Sequence, residues 1–399
     1  MKEANGALAP LLISVFVAVL GFSLVAPIFP LYVMDLGASY TLMGFIISIY
    51  GAVQLLTQIP VGRLSDRIGR KRLILLGLIS FTIMPPLYVY ANNALALIPI
   101  RIIGGVGASA VWPLAMALII DQASREKRGS AMGLYNAVFY SGLAVGPLIG
   151  GVLYDQFGLE APFNFWAILG FASVIIVFVR VKEPAKHALS LGATTTPSKE
   201  KLISQGFMMT FLACCGVVMW MGIVGGFNFI MLPSYAAQLG LSTTEVGLLY
   251  LVFGSATAIS NIHFGRQADR GRRKLLIFAG SVFGAVSFAL LLEATSLVQV
   301  VILLAALGIG LGMGSPAAAA MIADTSCSSR RGETYGIFNT SRMIGVVVGP
   351  LIAGTTADMY GIRGAIILFT AIALAVTSAT LSIRDPMIVP SCTGSDNTP

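Results

Sequence analysis

Charge is scarce in this chain. Asp, Glu, Lys and Arg make up only 11% of its 399 residues, against roughly 25% in soluble domains. Histidine occurs 2 times and cysteine 4 times. Two histidines leave no basis for a histidine-built metal centre. Cys214, Cys215, Cys327 and Cys392 show no metal-ligand spacing and read as free thiols. No G-x-x-x-x-G-K-[ST] run is present, which argues against direct drive by ATP. No Ser/His/Asp set suggests an enzyme, and no cofactor is expected.

Acidic residues are also scarce where they would cost most. The 17 Asp and Glu can all be placed in loops or at the ends of apolar runs. A protein that binds lipophilic cations inside a membrane usually needs a buried carboxylate to hold charge and exchange protons. Asp35, at the outer end of the first apolar run, is the best candidate for that work, with a loop-facing cap as the plainer reading.

Apolar residues fill the space that charge vacates. They make up 56% of the chain, and the mean hydropathy is +0.87. Too little surface is polar for water to be the solvent of most of it. Twelve apolar segments can be placed, at 8–34, 41–61, 73–91, 94–120, 129–154, 162–180, 206–237, 243–264, 275–293, 297–323, 332–357 and 364–383. At about 1.5 Å per residue each reaches across hydrocarbon as a helix, and each is too long for a barrel strand. The first is also too long for the core of a signal peptide, so it reads as a retained span.

The net charge of +8 does not point to nucleic acid. Lys and Arg cluster between alternate pairs of segments, as the positive-inside rule requires of cytoplasmic loops. Both termini are therefore expected in the cytoplasm of a multi-pass plasma-membrane protein.

The chain repeats itself. GRLSDRIGRK at Gly62–Lys71 returns as GRQADRGRRK at Gly265–Lys274, an offset of 203 residues. Pro30/Pro233, Gly44/Gly247, Asp121/Asp324, Asn136/Asn339, Pro147/Pro350, Asp155/Asp358 and Gly158/Gly361 share it. Two halves of one design are expected: an all-α integral membrane protein of twelve transmembrane helices in two pseudo-symmetric six-helix bundles. The boundaries read as a first bundle at 1–181, a polar cytoplasmic linker at 182–204, a second bundle at 205–385 and a cytoplasmic tail at 386–399.

Three motifs stand out. In the first, Gly62 and Gly69 permit a tight turn between segments 2 and 3, and Asp66 can pair with neighbouring Arg or face a helix N-terminus. The second is Arg101-Ile-Ile-Gly-Gly105-Val-Gly107, which puts a cation inside segment 4. Its repeat partner is Leu304, so the charge belongs to one half only. Such an Arg either faces a cavity or partner, or snorkels to the surface. The third is Gly142-x-x-x-Gly146-Pro147-x-x-Gly150-Gly151 in segment 5, where small residues four apart let helices pack backbone to backbone. Arg342, whose repeat partner is Phe139, adds a second cation near mid-membrane, facing a cavity or bonded to carbonyls or Asn339. Two membrane Arg and no central acid favour anionic, zwitterionic or neutral ligands.

These motifs and the duplicated twelve-segment plan resemble the major facilitator superfamily. The resemblance implies that Gly62, Asp66, Arg67, Gly69 and Arg70, with Asp269 and Arg270 in the second copy, latch the two halves during switching. It places Arg101 near a proton-transfer region, alongside Asp35 and Arg342 as candidates for proton coupling or substrate contact. The glycine–proline motif in segment 5 is similar to the mark of the drug:proton antiporters. The family's cavity implies wall residues among Gln54, Trp112, Asn136, Tyr140, Trp220, Asn228 and Asn339. The expected activity is proton-coupled efflux of small lipophilic compounds by alternating access. The alternatives are a carrier of anionic or neutral metabolites built on Arg101 and Arg342, and a non-transporting receptor or scaffold. Expected partners are a small-molecule substrate, protons and the bilayer, with no nucleic acid, and the protein is expected to be a monomer.

Overall fold

The computed structural model describes residues 2–122, 128–181, 183, 202–203, 206–327 and 330–384. Most of the predicted linker, and the tail with Cys392, lie outside the described residues.

The described residues are helical almost throughout. The helices are α1 (Lys2–Leu24), α2 (Phe29–Asp35), α3 (Tyr40–Ile68), α4 (Arg70–Val89), α5 (Leu97–Gln122), α6 (Arg128–Phe157), α7 (Glu160–Arg180), α8 (Met208–Gln238), α9 (Thr243–Ala268), α10 (Arg273–Leu291), α11 (Leu297–Thr325) and α12 (Arg331–Thr380). Ten of them are long and apolar enough to cross a membrane. The predicted first span is broken: α1 and α2 meet at a bend of 40°, where Pro27 and Pro30 cannot donate helical hydrogen bonds. The 50-residue α12 is two spans, because Gly361 leaves helical geometry at φ 72°. With the bent pair as one span and α12 divided there, each of the twelve predicted segments has its helix.

Sequence explains several helix starts. Ser39 and Ser296 accept from the backbone N–H three residues on, at 3.2 and 3.4 Å. Ser242 and Glu245 cap reciprocally, at 2.7 and 3.2 Å, as an S-x-x-E box. The first basic motif, expected as a loop, is instead mostly helix. α3 runs through it to Ile68, and Gly62 is an ordinary helical position with open space beside it. Only Gly69, at φ +103°, makes the turn. In the second copy the turn moves one residue earlier, to Gly271 at φ +86°, because Arg272 stands where the first copy has Gly69.

The chain divides into two compact units, residues 1–192 with 229–254, and residues 193–228 with 255–399. The first is cored by rings: Phe22, Phe81 and Trp166 touch, as do Tyr88, Phe29 and Phe163. The second is cored by Trp220, Phe227, Phe288 and Phe369, with centroids 4.6–6.0 Å apart. Many large apolar side chains, Leu56, Ile59 and Phe178 among them, point outward, as expected where lipid is the solvent. Cys214 and Cys215 are free thiols. Cys327 is not, being disulfide-bonded. Sequence spacing carries no signal of the close Cα approach a disulfide needs.

Candidate functional site

Three structures are built from the motif residues, the first at the α3–α4 corner. Gly69 turns the chain so that the N-terminus of α4 is open, and Glu183 fills it. Its carboxylate accepts from the backbone N–H of Arg70 at 2.7 Å and of Lys71 at 2.9 Å. An anion there satisfies two orphan donors and meets the positive end of the helix dipole. The Arg70 side chain forms an ion pair with Asp121 at the far end of α5, and both side chains are mostly buried. Asp66 is only peripheral to this pair, 3.9 Å from Arg70 and 61% exposed. Lys71 Nζ donates to the Phe178 carbonyl at 2.9 Å.

The second unit repeats the corner. Arg273 pairs with Asp324, and Lys274 Nζ donates to the Leu381 carbonyl at 3.3 Å. Each of these residues is 203 positions from its counterpart. The sequence reading singled out Asp269 and Arg270. The residue that forms the ion pair is Arg273.

The second structure is a pair of glycine seams. Along α6, Gly142 and Gly146 lie on the backbone of α1: a Cβ would meet the Phe16 carbonyl at 3.2 Å in one case and the Leu20 carbonyl at 2.8 Å in the other. Gly150 continues the stripe onto Leu24. Ser23 Oγ donates across the seam to the Gly142 carbonyl at 3.0 Å. Gly151 faces the opposite way, onto the start of α9, where a Cβ would come within 2.8 Å of Thr244. Beside it, Asp155 Oδ2 accepts from the Thr244 backbone at 2.8 Å and its hydroxyl at 2.6 Å. In the second unit Gly345 and Gly349 lie on α8 against Met219 and Ile223, and Gly222 and Gly226 of α8 lie against Arg342 and Pro350.

The third structure surrounds Arg101, which is 3% exposed. Its guanidinium carbon lies 3.8 Å from the ring centre of Phe29, 5.7 Å from Tyr50, 5.7 Å from Tyr88 and 6.0 Å from Phe229. Desolvated cation–π contacts are worth about 2 kcal/mol or more. They act through the face of the group and leave its edge alone. Nε and Nη2 are buried and have no acceptor among the described residues, at about 1–3 kcal/mol for each such donor. No carboxylate of the described residues forms an ion pair with Arg101. The Arg does not snorkel to the surface. The missed members of this site are Phe29, Tyr50, Tyr88 and Phe229, whose rings give no periodic signal in sequence.

The remaining candidates are dispersed. Asp35 is exposed at the C-terminal end of α2. Arg342 Nε and Nη2 donate to Asn339 Oδ1 at 3.3 and 3.2 Å. Trp220 is packed in the second unit's ring cluster. Trp112 packs tilted against Phe81 and edge-to-face with Phe139, and its carbonyl accepts from Tyr135. Asn228 is buried, Gln54 half-buried, and Asn136 and Tyr140 exposed.

Comparison with known proteins bears on the family and the fold. The family model described as Major Facilitator Superfamily matches residues 11–229 and 212–388. An uncharacterised MFS-type transporter of Methanocaldococcus jannaschii is 27% identical over 355 residues, covering 88% of this chain and 91% of its own. The quinolone resistance protein NorA of Staphylococcus aureus (strain MRSA252) is 26% identical over 348 residues, covering 87% and 89%. Among solved structures, a bacterial homologue of the human lysosomal transporter Spinster, inward-facing and unoccupied, superposes with a TM-score of 0.82 at 14% identity, covering 96% and 98%. The human organic anion transporter MFSD10 superposes with a TM-score of 0.67 at 16% identity, covering 95% and 100%.

Proposed function

The chain belongs to the major facilitator superfamily, and from that premise we propose that it exports small lipophilic compounds across the plasma membrane in exchange for protons, as a monomer with both termini in the cytoplasm. The observation that carries this reading is the seam of Gly142, Gly146 and Gly150 pressed onto the backbone of α1. Helices in van der Waals contact along their backbones leave no leak beside a substrate path, which exchange against a proton gradient requires. The likeness to a quinolone resistance protein supports the same direction.

Arg101 and Arg342 contact the substrate or take part in coupling, with Asp35 as the accessible carboxylate. The latch is Gly62, Asp66, Arg67, Gly69 and Arg70, with Asp269 and Arg270. Asp66→Asn is expected to slow turnover several-fold with little change in substrate affinity, and an effect confined to affinity counts against it. A second reading, a carrier of anionic or neutral metabolites, is favoured in its anionic form by a buried Arg101 with no acid paired to it among the described residues. One protein of like fold is an organic anion transporter.

The test is proton movement in energised inside-out vesicles. Proton release on adding lipophilic cations or neutral drugs is expected. A response to organic anions alone transfers the assignment to the second reading.

A further inference from the structure

We infer that the Nε/Nη2 edge of Arg101 is the recognition point for a carboxylate on the transported compound, and that the rings around it hold that compound's apolar body. This rests on the second reading above, a carrier of anionic compounds, and narrows its substrates to amphiphiles with a carboxylate head.

The argument starts from which atoms are satisfied. The guanidinium carbon lies 3.8 Å over the ring centre of Phe29. A ring attracts the cation but supplies no oxygen to accept from its N–H groups. Nε–H and Nη2–H lie parallel on one edge, the fork that a carboxylate meets with both oxygens. Both atoms are buried and have no acceptor among the described residues. A guanidinium stays charged at every accessible pH, so it cannot relieve its burial by losing a proton. A bidentate anion supplies both missing hydrogen bonds and the missing charge at once. A neutral or cationic head supplies neither.

The surroundings favour a body of aromatic or otherwise apolar character. Phe29, Tyr50, Tyr88 and Phe229 contribute rings from α2, α3, α4 and α8. Within the first unit, Gly104 and Gly105 hold α5 close to Tyr50: a Cβ at either would come within 3.1 Å of it. This fixes the depth at which the Arg leaves its helix. The repeat equivalent, Leu304, has no such chemistry, so the site is single.

The test is binding to the purified full-length chain, by calorimetry and by ligand-induced shift of Tm, with 2-naphthoate and its uncharged isostere 2-naphthamide. Naphthoate is expected to bind at least tenfold more tightly than naphthamide. Arg101→Lys, which keeps the charge but removes the fork, is expected to lose at least tenfold for naphthoate and little for naphthamide. Acetate serves as competitor. Failure to displace naphthoate at comparable concentration assigns the carboxylate to the amphiphile. Displacement as strong as by naphthoate itself also supports the fork, but makes its ligand a small free carboxylate. Equal affinity for naphthoate and naphthamide, no binding of either, or undiminished naphthoate affinity in Arg101→Lys overturns the inference. The wild-type comparison needs no variant to fold. Binding of naphthoate with no response of the vesicles to organic anions would count against the second reading of function alone.

Discussion

Position 101 and its repeat equivalent solve one packing problem in two ways. Arg101 is 3% exposed and stacked among rings, while Leu304 is 2% exposed with no charge to satisfy. The residues 203 positions after Phe29, Tyr50 and Tyr88 are Leu232, Phe253 and Leu291. A duplicated fold thus needs no cation at this depth, because one half does without it. The burial of charge at Arg101 is offset partly by aromatic faces. On the proposed reading, the halves share a scaffold and differ where a ligand is handled.

The sharpest way to break this comparison is to make the halves alike. Arg101→Leu is expected to reduce transport at least a hundredfold, yet leave thermal stability in detergent unchanged or raised. Replacing a buried charge by an apolar group of similar volume is neutral or stabilising, by up to about 4 kcal/mol. The reverse swap, Leu304→Arg, is expected to destabilise by several kcal/mol, since a buried cation enters a site without a built ring cage. Parallel losses of stability in both variants would show that Arg101 is a structural residue.

The basic corners come next. Arg70 and Asp121 have side chains 15% and 19% exposed, whereas Asp324 is 45% exposed beside Arg273. Removing one partner of a buried pair costs about 3–5 kcal/mol, and an exposed pair is worth about 1 kcal/mol or less. Asp121→Asn is therefore expected to lower the unfolding temperature well beyond Asp324→Asn. Equal losses would mean that water reaches both pairs alike.

These corners also show what could be read in advance. The constant offset already paired Asp121 with Asp324, and the same arithmetic gives Arg273 from Arg70. It equally gives Asp269 and Arg270 from Asp66 and Arg67. Register pairs positions between the halves and does not say which of the paired cations reaches the carboxylate at the end of the neighbouring helix. All twelve spans were legible, since backbone in lipid has one cheap solution. Glu183 was not, because nothing local marks an exposed Glu at the start of a polar stretch as a cap for a helix 113 residues earlier. The extension of α3 through Arg63, Asp66 and Arg67 was missed as well: polarity there marks the membrane's edge, and the helix continues past it.

The smallest expected effects lie in the glycine seams. The first seam opposes α6 with Val19 and Ser23 of α1, while the second opposes α12 with Gly222 and Gly226 of α8, 203 positions later. Glycine on both sides leaves the second seam no slack. A Cβ at Gly226 would come within 2.8 Å of the Pro350 nitrogen and 2.9 Å of its Cγ. Gly226→Ser, which copies the first half into the second, is expected to cost about 1–3 kcal/mol through overpacking. Ser23→Ala removes a hydroxyl placed to donate to the Gly142 carbonyl at 3.0 Å and to the Leu20 carbonyl of its own helix at 3.1 Å, and hydrogen bonds between membrane helices average about 0.6 kcal/mol. Denaturant titration of the two variants in mixed micelles measures the difference. A Ser23→Ala loss as large as that of Gly226→Ser would show that the first seam is held by its hydroxyl. Close backbone packing would then be a property of the second half alone, and the seam along Gly142, Gly146 and Gly150 would lose its claim to seal the path.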